Sequence, residues 1–223
     1  MSTQIDLSVK EQKNCSSIFK AIGNPQVDLG ILLELGSIGA GHAATSLSDI
    51  LQQPITIDVP KIHQIKPHLI PQFYNLHDVP TTAIYLQLKE AFGCDILLMF
   101  ESTEAKKIAA MMTMASSIEE VDPAMETSAL QELANILIGS FLTSISDFIG
   151  LGLFPTTPET VVDVFDAIID NFLIKQSMSS ENVLIFETRF MRSGEDAKSI
   201  LMLFPSEELK GLLVKKSKSL IEE

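Results

Sequence analysis

With 223 residues, 46% of them hydrophobic and 20% charged, the chain has enough apolar material to bury a substantial core, which excludes an intrinsically disordered protein. Acidic residues outnumber basic ones 29 to 16, and the formal net charge of −13 argues against non-specific binding to nucleic acid or to an anionic membrane surface. Cys15 and Cys94 form no spaced motif and read as reduced thiols, and the N-terminus MSTQIDLSVKEQKN lacks the hydrophobic run of a signal peptide, so a cytoplasmic protein is expected.

Residues 1–27 are polar and read as an N-terminal extension, with Ser8 and Glu11 as a capping box for a short helix to about Ile22. Asp28 to Gln52 is the first long helix, with Leu32, Leu35, Ala43, Leu47 and Ile50 expected on its core face. Its load of small residues includes Gly39-x-Gly41-x-x-Ala44, which resembles a dinucleotide fingerprint. That motif needs a strand before it and a helix after, whereas here the glycines lie inside the helical pattern, so close helix–helix approach is the better explanation. Ile55 to Val59 alternates as a strand ended by Pro60, and Lys61 to Pro80 is expected to be loop. Within that loop His63, His68 and His77 lack metal-ligand spacing, and no metal site is expected. Thr81–Leu88 and Cys94–Phe100 form a predicted hairpin, followed by a helix from about Thr103 to Ser116.

After the link Glu119 to Pro123 the order repeats: a long helix to about Gly150, a short segment at Thr160 to Phe165, strands at Val183–Met191 and Ser199–Phe204, and a helix from Glu207 to Leu220. Ile136 to Phe154 is apolar enough to suggest a membrane span, but Ser140, Thr143, Ser144, Ser146 and Asp147 interrupt it, and a buried amphipathic helix fits better.

The repetition is internal duplication. Glu34 and Glu132 lie 98 residues apart, as do Pro60 and Pro158, and at that offset Thr45-Ser-Leu-Ser-Asp49 overlies Thr143-Ser-Ile-Ser-Asp147. We read residues 28–223 as one domain with pseudo-two-fold symmetry, repeat one spanning 28–118 and repeat two 124–220, around one continuous sheet. On the second long helix Ser128, Glu132 and Asn135 share one stripe, because residues three, four and seven apart on a helix face the same way. Leu130, Leu133, Leu137, Phe141, Ile145 and Phe148 form another stripe roughly opposite. An exposed Glu and Asn on a helix is usually no more than a solvated face; the spacing that continues to Pro158 sets this pair apart.

Ser or Asp, three residues, Glu, two residues, Asn, twenty-two residues, Pro is the signature of the CheC/CheX/FliY chemotaxis phosphatases, and Ser128, Glu132, Asn135 and Pro158 match every position. Gly36 to Ser48 also resembles the first signature helix of CheC, and the likeness covers about residues 28–215. The resemblance implies an α/β (α+β) fold in which two long antiparallel helices lie across a sheet of about six strands. It implies an enzyme that hydrolyses the aspartyl phosphate of the response regulator CheY. By matching position, Asn135 would orient the attacking water and Glu132 would pair with the regulator's active-site Lys, with Ser128 and Pro158 in support. The family has no cofactor or metal of its own, and magnesium is expected on the regulator.

The first copy departs from the signature: Glu34 and Pro60 are kept, Ser37 replaces the Asn, and Gly30 replaces the Ser or Asp. The resemblance therefore implies a degenerate second site. It also leaves an alternative, a non-catalytic scaffold that binds CheY-like or CheD-like proteins or serves as a flagellar or archaellar switch component. CheD is a further candidate partner that no residue maps.

Overall fold

The computed structural model describes residues 28–88, 93–175, 182–192 and 195–221. The extension, with its Ser8–Glu11 box and Cys15, lies outside the described residues, as does the predicted hairpin turn at 89–92. Helix α1 is Leu29–Leu51, followed by strand β1, Thr56–Ile65, a 3-10 turn at Pro67–Leu69 and the short helix α2, Ile70–Tyr74. Strands β2, Pro80–Gln87, and β3, Cys94–Glu101, lead into α3, Ser102–Thr113. The second series is α4, Pro123–Ile149, then β4, Glu159–Val164, α5, Phe165–Lys175, β5, Val183–Arg192, β6, Glu195–Pro205, and α6, Glu207–Ile221.

The six strands form one antiparallel sheet in the order β1-β5-β6-β3-β2-β4. Exchanging the two copies, so that β1, β2 and β3 trade places with β4, β5 and β6, reads the same order backwards. The first strand of each copy has left its own half: β1 pairs with β5, and β4 pairs with β2. Both edges of the sheet are therefore built by strand exchange between the halves.

Both faces of the sheet are covered at its centre. Ile96, Leu98, Phe100, Leu184, Phe186, Leu201 and Leu203 point into the larger core with α1, α3, α4 and α6. Their neighbours Leu97, Met99, Val183, Ile185, Met202 and Phe204 point the other way, under α2 and α5. This alternation along a strand is why β3 and β6 read as unbroken apolar runs.

The long helices lie side by side on the larger core, and small residues set how close they come. A Cβ built on Gly39 would stand 2.8 Å from the Cα of Phe141, and one on Gly36 would stand 3.0 Å from the Phe186 ring. The Phe141 and Phe186 rings meet edge to face at 5.5 Å. The equivalents of Gly39 and Phe141 in the exchanged copies are Leu137 and Ala43, both fully buried, so a small residue faces a large one on each side of the pseudo-axis. Gly39 thus serves the packing of α1 on α4, and Gly36 the packing of α1 on the sheet. Gly41 serves neither: it is exposed, with nothing within 4 Å of an added Cβ.

Several expectations need correction. Ile50 is 56% exposed, because Leu51, one turn after Leu47, takes the core position at the helix end. Pro60 does not end a strand. β1 runs on to Ile65 and slips register by one residue between Asp58 and Lys61, so Pro60 sits in a β-bulge on an edge strand, where a missing N–H costs no ladder hydrogen bond. The Lys61–Pro80 region is therefore strand, turn and helix, and two of its three histidines pair with carboxylates from the second copy. His63 Nε2 lies 3.0 Å from Glu187 Oε1, and His77 pairs with Asp166. The helix α5 escaped the sequence reading altogether, although Phe165, Ile168, Ile169 and Phe172 repeat at helical steps and are all buried. β6 starts at Glu195, earlier than Ser199.

Replacing Gly39 by Val should destabilise the protein by about 1–3 kcal/mol, since the neighbour that must yield is the backbone of α4. Chemical denaturation of the variant checks this, with Gly211→Ala, at an open helical position, as the reference expected to be neutral or stabilising.

Candidate functional site

Helix α4 presents the site. It starts at N-cap Asp122, whose Oδ1 accepts hydrogen bonds from the N–H groups of Ala124 (2.8 Å) and Met125 (2.9 Å), with Pro123 at the first helical position. It ends at Gly150, held in the left-handed conformation with φ 76°. It is the one described helix long and apolar enough to cross a membrane. Its apolar face is occupied: Leu130, Leu133, Leu137, Phe141 and Ile145 are buried in the larger core, and Phe148 is half-buried.

On the opposite face Ser128, Glu132 and Asn135 are exposed. Among the described residues neither Glu132 nor Asn135 has a side-chain hydrogen bond or ion pair. A carboxylate and an amide one turn apart, with Cβ atoms about 5–6 Å from each other, are thus left with their full bonding capacity toward solvent. No Lys or Arg occurs anywhere in α4, so the face is acidic.

Pro158 lies immediately before β4. The bridge Leu88–Pro155 and the pair Tyr85–Glu159 show that this strand advances four residues while β2 advances three. Pro158 therefore occupies the same kind of one-residue bulge as Pro60, at the other edge of the sheet. Gln131, which sequence reasoning passed over, joins it to the helix: its Nε2 donates to the carbonyl of Pro158 at 3.4 Å and to Thr160 Oγ1 at 3.1 Å. The signal was available, since Gln131 precedes Glu132 and the signature spacing already tied this turn to Pro158. The duplicated Thr-Ser-x-Ser-Asp motif is structural. Thr45 and Thr143 donate to the carbonyls of Gly41 (3.0 Å) and Gly139 (2.8 Å), and Ser48 Oγ accepts from the N–H of Ile55 at 2.9 Å, tying the helix end to β1.

The first-copy site is arranged differently. Glu34 and Ser37 are exposed, but the Ser37 hydroxyl donates to the Leu33 carbonyl at 2.8 Å, within its own helix. Gly30 lies in the first turn of α1, its N–H capped by Asp28 Oδ1 at 2.8 Å. Helix α4 begins earlier relative to its site than α1 does, so Ser128 stands in the second turn, where Gly30 stands in the first. Leu33 occupies the place of Gln131, so this copy has no counterpart of the link to the bulge.

Among the described residues no three His, Cys, Asp or Glu side chains cluster to hold a metal ion. Cys94 is a buried free thiol whose pKa is pushed well up, by burial first and by the neighbouring Asp95 carboxylate second.

The CheC-like family model matches residues 30–63 and again residues 125–162, once on each copy. The CheY-P phosphatase CheC of Bacillus subtilis (strain 168) is 30% identical over 194 residues, which cover 85% of this chain and 92% of that protein. The chain belongs to the CheC-like family. The flagellar motor switch phosphatase FliY of the same organism is 33% identical over 116 residues, covering 51% of this chain and 30% of FliY. The crystal structure of Thermotoga maritima FliY superposes with a TM-score of 0.69 at 23% identity, covering 86% of this chain and 96% of that one, so the CheC-like architecture is a shared fold.

Gln131→Ala should cost about 1 kcal/mol of stability through the lost hydrogen bonds to Pro158 and Thr160. Hydrogen exchange at β4 should rise selectively, and unchanged protection there would contradict the role given to Gln131.

Proposed function

We propose that this CheC-like protein is a phosphatase that hydrolyses the aspartyl phosphate of a CheY-like response regulator in the cytoplasm. The observation that carries the reading is the pair Glu132 and Asn135, exposed, free of intramolecular partners and mounted on a helix fixed along its whole other face. The similarity to a CheY-P phosphatase supports the same substrate class.

The chemistry asks little of the protein. An acyl phosphate is already activated, so the barrier falls mainly by holding a water in line with the leaving carboxylate. The Asn135 amide is suited to this, since its carbonyl oxygen accepts from the water while its NH₂ donates to a phosphoryl oxygen, and neither group titrates near neutral pH. Water oxygen attacks phosphorus, the P–O bond to the aspartate breaks, the regulator's carboxylate leaves with the bond pair, and the water's proton leaves with the inorganic phosphate or passes to solvent. Magnesium expected on the regulator supplies charge neutralisation there, and this chain contributes no ligand to it. Glu132, one turn away, pairs with a lysine of the regulator and fixes the register of docking. Ser128 shapes the approach to Glu132, and Pro158, through its bulge and Gln131, braces the helix beside the pair.

Asn135→Ala should lower the dephosphorylation rate of the regulator about 100-fold with binding largely kept. Glu132→Ala should instead raise KM about tenfold or more. The phosphoryl lifetime of CheY measured with each variant separates the two roles; equal lifetimes with wild type and Asn135→Ala would favour a scaffold.

The first-copy site is read as silent because the Ser37 hydroxyl is short and already bonded to Leu33. In an Asn135→Ala background, Ser37→Asn should restore measurable turnover, and no recovery would count against that reading.

A further inference from the structure

The exposed face of α4 holds a second irregularity beyond the carboxylate and the amide. Gly139 lies one turn after Asn135, at about 6 Å along the axis, and nothing stands within 4 Å of a Cβ added to it. A glycine inside a helix costs about 0.5–1 kcal/mol relative to alanine, and here no neighbour in the described chain requires it. The same open glycine recurs at the equivalent place in the other copy, Gly41, one turn after Ser37. In both copies the glycine carbonyl also accepts a hydrogen bond from the hydroxyl of the threonine one turn on, Thr143 and Thr45. At Gly139, which is half-buried, the helix offers open space in place of a side chain and a carbonyl already satisfied, a surface another protein can cover without stranding a polar group.

A second observation lies on the other side of Asn135. Gln131 bonds Thr160 from α4, so the side chain of Thr160 faces that helix, and Val162, two residues further along β4, faces the same way. Val162 is 68% exposed, while its equivalent in the silent copy, Gln64, is 7% exposed. The signature pair is therefore flanked by bare backbone on one side and an uncovered apolar side chain on the other. Around them the face has only carboxylates for charge, Glu132 and Asp147, which suits a partner with a cationic site.

We propose that the docking footprint of the phosphorylated regulator runs from Val162 across Glu132 and Asn135 to Gly139. At Gly139 the regulator's surface comes into contact with the α4 backbone, close enough for the short Asn135 side chain to reach a phosphoryl group recessed in its pocket. At Val162 it makes an apolar contact. This rests on the reading of Glu132 and Asn135 as the phosphatase pair. Gly139 and Val162 are positioning residues and touch no reacting atom.

The test uses the full chain and a CheY-type regulator carrying beryllofluoride on its aspartate for affinity, with the phosphorylated regulator for turnover. Gly139→Leu and Val162→Glu should each weaken binding at least tenfold, with the rate at saturation of Val162→Glu within about twofold of wild type. Gly139→Ala, like Gly211→Ala, should leave the thermal midpoint unchanged or raise it, while lowering kcat/KM; Gly211→Ala should leave turnover unchanged. If Asn135→Ala lowers turnover about 100-fold while Gly139→Leu and Val162→Glu bind as wild type does, the footprint is overturned and the phosphatase reading stands. If Asn135→Ala changes nothing, the underlying reading falls, whatever the footprint variants do.

Discussion

The exchange of edge strands between the two halves is the constraint on which the rest of the molecule depends. Because β1 pairs with β5 and β4 with β2, neither copy can complete its own sheet, and the hydrogen bonds that close each edge come from the other half. The two long helices are held over that shared sheet at a spacing set by Gly39 against Phe141. A helix fixed along one face by a continuous core is a rigid mount, and rigidity is what an amide needs if it is to hold a water in line with a phosphoryl group in another protein. On the proposed reading the site would need no cavity, since the recess would belong to the partner and this chain would supply the projection.

Within one duplicated frame the two copies present different surfaces. Both keep the glutamate, the bulge proline, the open glycine and the threonine that caps its carbonyl. Only the second copy has the asparagine, the Gln131 link to the bulge and the exposed Val162. Where the second copy offers an unpartnered amide, the first offers a hydroxyl folded back on its own helix. The differences fall together at one surface.

The sequence made the local features readable. The 98-residue offset needs only a comparison of the chain with itself, and the stripe Ser128–Glu132–Asn135 only the helical period; all three side chains lie on the exposed face of α4. What could not be read was non-local. Which strand pairs with which has no trace in a period-two pattern, so the exchange of β1 and β4 was invisible. Pro60 looked like a strand end because a proline normally is one; only the bulge on an edge strand makes it an interior residue. Gly39 and Gly41 looked alike in the sequence, and only the position of Phe141 separates the packed glycine from the open one. Helix α5 was readable from Phe165, Ile168, Ile169 and Phe172 and was passed over because the equivalent helix of the first copy, α2, is a five-residue element embedded in a region read as loop.

The central claim is that the side-chain amide of Asn135 enters the regulator's reaction centre. A crystal structure of the complex with a beryllofluoride-activated CheY-like regulator tests it most directly. The account predicts the Asn135 amide within hydrogen-bond distance of both the beryllofluoride and an in-line water, with Glu132 on the regulator's lysine. A complex in which the regulator sits elsewhere, or in which Asn135 faces solvent away from the beryllofluoride, would contradict it.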